Sequence, residues 1–237
     1  IVDWVLLESE VDPSDEFGEA LITMLEHLLE LKSRPPEVNA WNDAWFEAHS
    51  VFVYETFLYI TAALMRTGAY RILNLVLTNR YLLPETAGQG PSTFDTFGAF
   101  WGSSKTLQIL APEGRKLNAP AAELIKRQAD RTDLPFEAVM QAELLVLMMA
   151  FITPECWWYP QTLLYSSRAR AFPFFIRAAQ HRSFLKLAEV TGISDANALK
   201  DAVRKGHDRL NVKSWHDFLM MGPSFVTIMN MDALDTL

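Results

Sequence analysis

The sequence predicts an all-α fold, an irregular multi-helix bundle with at most one small hairpin. Three observations lead there. Apolar residues recur at helical rather than alternating spacing, so a sheet is not expected. Two apolar segments, 40–67 and 135–153, are far longer than ordinary strands. Ser/Asp, Gly and Pro residues punctuate the chain where helices would begin and end.

Taken in order, Asp12-Pro13-Ser14-Asp15 reads as a helix start, with Asp12 or Ser14 as the cap and Asp15 favouring the positive helix end. Behind it Phe17, Leu21, Met24, Leu25, Leu28 and Leu31 form an apolar stripe over 17–32, which Pro35-Pro36 closes. Segment 40–67 is apolar and aromatic all round the helical wheel, as a buried central helix would be, and Gly68 supplies a C-cap. A third helix over 69–81 follows with almost no linker and stops at Pro84. Residues 85–93 (ETAGQGPST) are loop, and two lobes of the domain could meet near 84–93. The aromatic stretch 94–110 fits a short helix broken near Gly102. Helices are expected over 120–131 and 135–153, the second started by Asp133 and stopped by Pro154. A helix from Pro173 to about Val190 ends at Gly192, and Ser194-Asp195 caps the next, through about Lys205. The tail over 215–237 reads as one or two short helices. The one place left for a hairpin is 163–168.

Composition narrows the function classes. Hydrophobic residues are 50% and charged residues 21%, which excludes a disordered chain. The net charge of −8 argues against a broad nucleic-acid surface. The longest uninterrupted apolar run, 144–152, is far short of the roughly 20 residues a bilayer span needs. A single cysteine, Cys156, excludes an internal disulfide and suits a cytoplasmic location. The N-terminus lacks a basic signal-peptide region, and the first residues, Ile-Val-Asp, fit part of a longer polypeptide.

One stretch departs from this acidic background. Residues 157–188 carry Arg168, Arg170, Arg177, Arg182, Lys186 and His181, with no Asp or Glu. Clustered cations draw anions, and arginine forks match phosphate or carboxylate in two-point fashion. The candidate ligand-binding set is Arg168, Arg170, Arg177 and Arg182 for charge pairing, with Trp158 and Tyr165 to stack a planar group. On a single continuous helix Arg177 would not share a face with Arg182 and Lys186, so one pocket requires a break in that helix, near Ser183, or help from the preceding loop. The bland alternative is a solvated helix face over an aromatic core.

Other motifs carry less. Residues 102–106 (GSSKT) lack the second glycine and the preceding strand of a phosphate-binding loop. His49 and Glu55 do not share a helical face, and no H-E-x-x-H is present, so no metal site is expected. His49 reads as a core histidine. Glu55 reads as a carboxylate in an apolar helix, needing a partner such as an arginine of the basic stretch. His207-Asp208 and His216-Asp217 lack a nucleophile elbow, and Cys156 sits among tryptophans that would bury it. No cofactor motif is visible.

Two segments carry a family resemblance. They are 54–84 (YETFLYITAALMRTGAYRILNLVLTNRYLLP) and the run Phe172-Pro173-Phe174-Phe175-Ile176-Arg177-Ala178 with Phe184-Leu185-Lys186-Leu187 and the helix start Gly192-Ile193-Ser194-Asp195. Both resemble a helical domain found C-terminal to effector domains in bacterial proteins. The effectors include Toll/interleukin-receptor-like and sirtuin-like ones proposed to act in anti-phage defence. The resemblance implies a fused or docked effector, and it carries over no functional residue. The expectation is therefore a non-enzymatic regulatory or sensing module with a small anionic ligand or nucleotide at 157–188. The alternatives are a protein–protein scaffold that forms homo-oligomers and a hydrolase using His49, Glu55 or Cys156.

Overall fold

The computed structural model describes residues 1–33, 42–84, 92–166, 170–210 and 224–237. Among them the fold is mainly helical, with one small two-stranded antiparallel sheet. The helices are α1 (Val2–Val11), α2 (Asp15–Glu30), α3 (Glu47–Thr67), α4 (Tyr70–Thr78), α5 (Pro120–Gln128), α6 (Phe136–Ile152), α7 (Pro173–Arg177), α8 (His181–Thr191), α9 (Ala196–Arg209) and α10 (Phe225–Ile228).

The anticipated caps are made. Ser14 Oγ accepts from Phe17 N at 3.3 Å, and Asp195 accepts from Ala198 N at 2.6 Å. Gly68 and Gly192 end α3 and α8 with φ of 80° and 70°, where a side chain would be strained. For α6 the cap position is Pro135; Asp133 instead pairs with Arg131. Helix α1, which lacks an amphipathic pattern, packs on α3 through buried Val5 while Leu7 and Val11 face outward.

The centre is α3 packed on α6, and α9 packs on α6 as well. Helix α3 is long and apolar enough to cross a membrane, but most of it is buried within the fold, as a core helix must be. Aromatic rings fill the space beside it. Phe57 stacks on Phe100 at 4.4 Å with planes 3° apart, Tyr81 meets Phe100 edge-on at 4.8 Å, and Trp158 lies 5.7–6.2 Å from Tyr54, Phe57 and Phe97.

Two segments fold otherwise than the sequence predicts. Helix α4 stops at Thr78, and Tyr81–Leu83 forms β1, paired with β2 (Thr93–Asp95) in the register Tyr81↔Asp95. Pro84 favours extended backbone at Leu83, and the Tyr81 ring turns into the core with its hydroxyl donating to Val76 O at 2.7 Å. The hairpin is therefore here and not at 163–168, where Thr162–Tyr165 is a 3-10 turn. The expected lobe boundary falls mostly on residues outside the described set.

The second difference shapes the site. The helix expected over 173–190 is two helices, α7 and α8, separated at Ala178–Gln180. Asp235 N donates to Ala178 O, and Thr236 N and Leu237 N to Ala179 O, each at 2.9 Å. These carbonyls are the ones a continuous helix would spend on residues 182 and 183. With them taken by residues from the far end of the chain, the helix stops at Arg177 and a second one starts at His181. His181 Nδ1 lies 2.8 Å from Asp235 Oδ1 and pins the restart.

Candidate functional site

Among the described residues the most fully buried carboxyl group is Glu143, which the sequence reading did not single out. It is the lone acid in the apolar run of α6 and has no exposed surface. Its Oε1 accepts from the Tyr54 hydroxyl, from Trp158 Nε1 at 3.1 Å and from Gln161 N at 3.1 Å. Its Oε2 accepts from Thr162 N and Thr162 Oγ1, both at 2.6 Å. Burial pushes the carboxyl above its ordinary pKa, and the donors, Thr162 and Tyr54 foremost, pull against that. With every donor coming from the protein, this knot ties α3, α6 and the loop 156–162 together and leaves no room for a substrate.

The basic stretch contributes to a different place. A polar hollow of about 560 Å³ opens between the last turn of α3 (Met65, Arg66, Thr67, Gly68), Tyr70 of α4, Gln141 of α6, α7 and α8. Arg177 and Lys186 line it from α7 and α8, and Ser183 lies between them in sequence. They face one hollow because the chain breaks after Arg177. Arg66 adds a third cation at the wall, with Nη1 donating to the carbonyl oxygen of Asp133. No carboxylate is among the lining residues described. Lys186 Nζ stands 5.9 Å from the Tyr70 ring centroid, and Phe174 lies against the same ring at 5.9 Å, tilted 39°. Burial raises the Tyr70 hydroxyl pKa; Glu189 adds to the rise and Arg177 opposes it, so both charges act at this ring. Gln141 Oε1 accepts from Phe174 N at 2.9 Å, which leaves its amino group as the donor on this lining residue.

The other members of the candidate set lie elsewhere. Arg170 and Arg182 are exposed and do not line the hollow. Arg168 lies outside the described residues. Trp158 is fully buried, so it has no free face to stack a ligand; its indole serves Glu143 instead. Tyr165 donates to Glu123 Oε2 at 2.8 Å, carries Lys126 Nζ 4.6 Å from its ring centroid and does not line the hollow. The tyrosine that lines the hollow is Tyr70, which the sequence reading had treated only as part of a helix.

His49 is exposed, not in the core. Glu55 is half-buried in a 210 Å³ pocket with Glu47, Val51, Phe52 and Leu124, and burial raises its pKa. It pairs with no arginine of the basic stretch among the described residues. Cys156 is buried, with its thiol pushed up to about 11 by desolvation, which leaves it protonated at neutral pH. His49 and Cys156 do not line the Glu55 pocket, so the three do not converge there. The GSSKT segment directs Ser104 Oγ and Thr106 N onto Glu47 Oε2 at 2.7 and 2.9 Å, so donors that would greet a phosphate are already spent on a carboxylate. Among the described residues no group of three or more His, Cys, Asp or Glu is placed to hold a metal.

Comparison with protein-family models, with curated proteins and with solved structures finds no match to this chain.

Proposed function

We propose that this chain is a non-enzymatic recognition module that binds a small anion in the hollow between α3, α4, α6, α7 and α8. The observation that carries the proposal is the convergence of Arg177 and Lys186 on one polar cavity that has no carboxylate among its described lining residues. Neither cation has an ion pair among the described residues. A singly charged anion about 5 Å from each would gain roughly 3 kcal/mol per cation at an effective dielectric of about 20. The C-terminal end of α3 opposes this with about half a unit of negative charge, and Glu189, whose charge acts at Tyr70, opposes it as well. Its role as the sensing part of a larger bacterial defence protein, acting on a fused or docked effector, rests on the resemblance of 54–84 and 172–195 alone.

The test is thermal unfolding with pyrophosphate as the probe. At a hundredfold excess over Kd, binding adds about 2.7 kcal/mol, which is roughly 5–10 °C for a chain of this size. Arg177→Ala or Lys186→Ala should abolish the shift, while Arg170→Ala and Arg182→Ala should preserve it. No shift at millimolar pyrophosphate removes the proposal.

A second reading, an oligomerisation scaffold, is favoured by Trp45 and Phe52, which are 60% and 46% exposed near the Glu55 pocket. Light scattering across concentration decides it: a dimer that dissociates on Phe52→Glu supports the scaffold, and a monomer at every concentration removes it.

A further inference from the structure

We infer that the ligand of this hollow is a nucleoside phosphate, with its base on Tyr70 and its phosphates on Arg177 and Lys186. The inference rests on the anion-site reading above and adds the chemical class. The hollow has two kinds of wall. Arg66, Arg177 and Lys186 supply cations, and the Tyr70 ring with Phe174 at 5.9 Å supplies an aromatic step. Lys186 joins the two, since its ammonium group lies 5.9 Å from the Tyr70 centroid. A group stacked on that ring therefore has a phosphate-binding charge within the reach of one ribose.

A bare inorganic anion leaves much of this cavity unused. Its volume of about 560 Å³ lies in the range of about 300–1,000 Å³ that holds whole small-molecule ligands. The wall formed by the end of α3 also presents backbone carbonyl oxygens, which repel an anion but accept hydrogen bonds. Exocyclic amino groups and ribose hydroxyls supply the matching donors. Gln141 and Ser183, also in the lining, offer a donor amide and a hydroxyl. A ligand with an anionic end, a flat aromatic end and hydroxyls between them satisfies all of these groups together. Neither a free phosphate nor an apolar molecule does.

Isothermal titration of the whole chain with ADP and with pyrophosphate separates the two levels of the reading. Stacking on one aromatic ring should make ADP bind roughly tenfold tighter than pyrophosphate. Tyr70→Leu keeps an apolar filler beside Phe174 and should erase that advantage without changing pyrophosphate affinity. Arg177→Ala should weaken both ligands by a similar factor. Equal affinity for ADP and pyrophosphate, with Tyr70→Leu indifferent to both, overturns the nucleoside assignment and leaves a plain anion site. ADP binding that survives Arg177→Ala unchanged places the nucleotide elsewhere and also overturns it. Binding of neither ligand overturns the anion reading itself. Circular dichroism of each variant confirms that a lost signal is not lost folding.

Discussion

Replacing Glu143 by glutamine tests the centre of the fold with the smallest change of shape. The carboxylate accepts from five donors, and only two of these, the Tyr54 and Thr162 hydroxyls, can rotate to become acceptors. Trp158 Nε1, Gln161 N and Thr162 N are fixed donors. A glutamine side chain does least harm with its oxygen at the Oε1 position, facing Trp158 and Gln161. Its amino group then points at Thr162 N, donor against donor, in a site closed to water. One buried donor left unmet and one opposed costs about 2–3 kcal/mol. Alanine strips the acceptor from all five donors and opens a void, a loss of about 5 kcal/mol or more. A domain of this kind holds a total of about 5–15 kcal/mol. Glu143→Gln should therefore fold and lose roughly 1 M in urea midpoint, given a slope of about 2–3 kcal/mol/M. Glu143→Ala should lose roughly 2 M or more by the same slope. Urea titration followed by far-ultraviolet circular dichroism and tryptophan fluorescence measures both. A glutamine variant within about 0.2 M of the parent midpoint would refute the reasoning, because the site would then tolerate a donor where acceptors are required.

Other outcomes follow from local geometry. Gly206→Ala would raise stability by about 1 kcal/mol on helix propensity, but a Cβ there would stand 1.9 Å from Phe151 O where α9 crosses α6. The expected result is a loss of about 3 kcal/mol, a fall of roughly 6–12 °C in Tm, and a higher Tm would contradict the close approach. Lys32 donates to Ala99 O and Trp101 O at 2.5 and 2.7 Å, and burial lowers its pKa to about 8, with Asp95 opposing. The unfolded chain keeps that proton up to about 10.5, so between the two values it binds more protons than the native state. Stability contributed through Lys32 should therefore rise as pH increases from about 8 to 10.5. Denaturation midpoints of the parent relative to Lys32→Gln at pH 7.5, 9 and 10 should diverge in the parent's favour; parallel curves would show that the amine titrates normally.

Helix class, most caps and the two core helices were legible in the chain, because those features depend on neighbours within one or two turns. Ser14, Gly68, Gly192 and Asp195 each act on backbone a few residues away, and the apolar runs of α3 and α6 declare burial wherever they are placed. The hairpin at Tyr81 and the break after Arg177 were not legible. The first depends on a ring finding Phe100 and Val76 O, and the second on carbonyls taken by residues 235–237. The cavity shows the same division. Composition marked 157–188 as cationic, but which of those charges meet was decided by the break between α7 and α8, with Arg177 and Lys186 lining one hollow and Arg170 and Arg182 outside it. Arg66, Tyr70 and Gln141 join them from three other helices, and no local pattern foretells a meeting between residues so far apart in sequence. Glu143 left one trace, an acid in the midst of an apolar helix, but its five donors come from α3 and from the loop 156–162. Residue order alone determines what a segment will hide and where a helix will start, since propensity, capping and hydrophobic burial are properties of the segment. Which side chains face each other across a cavity is decided only by tertiary packing, since charge pairing and hydrogen bonding act across distances in space that sequence separation does not measure.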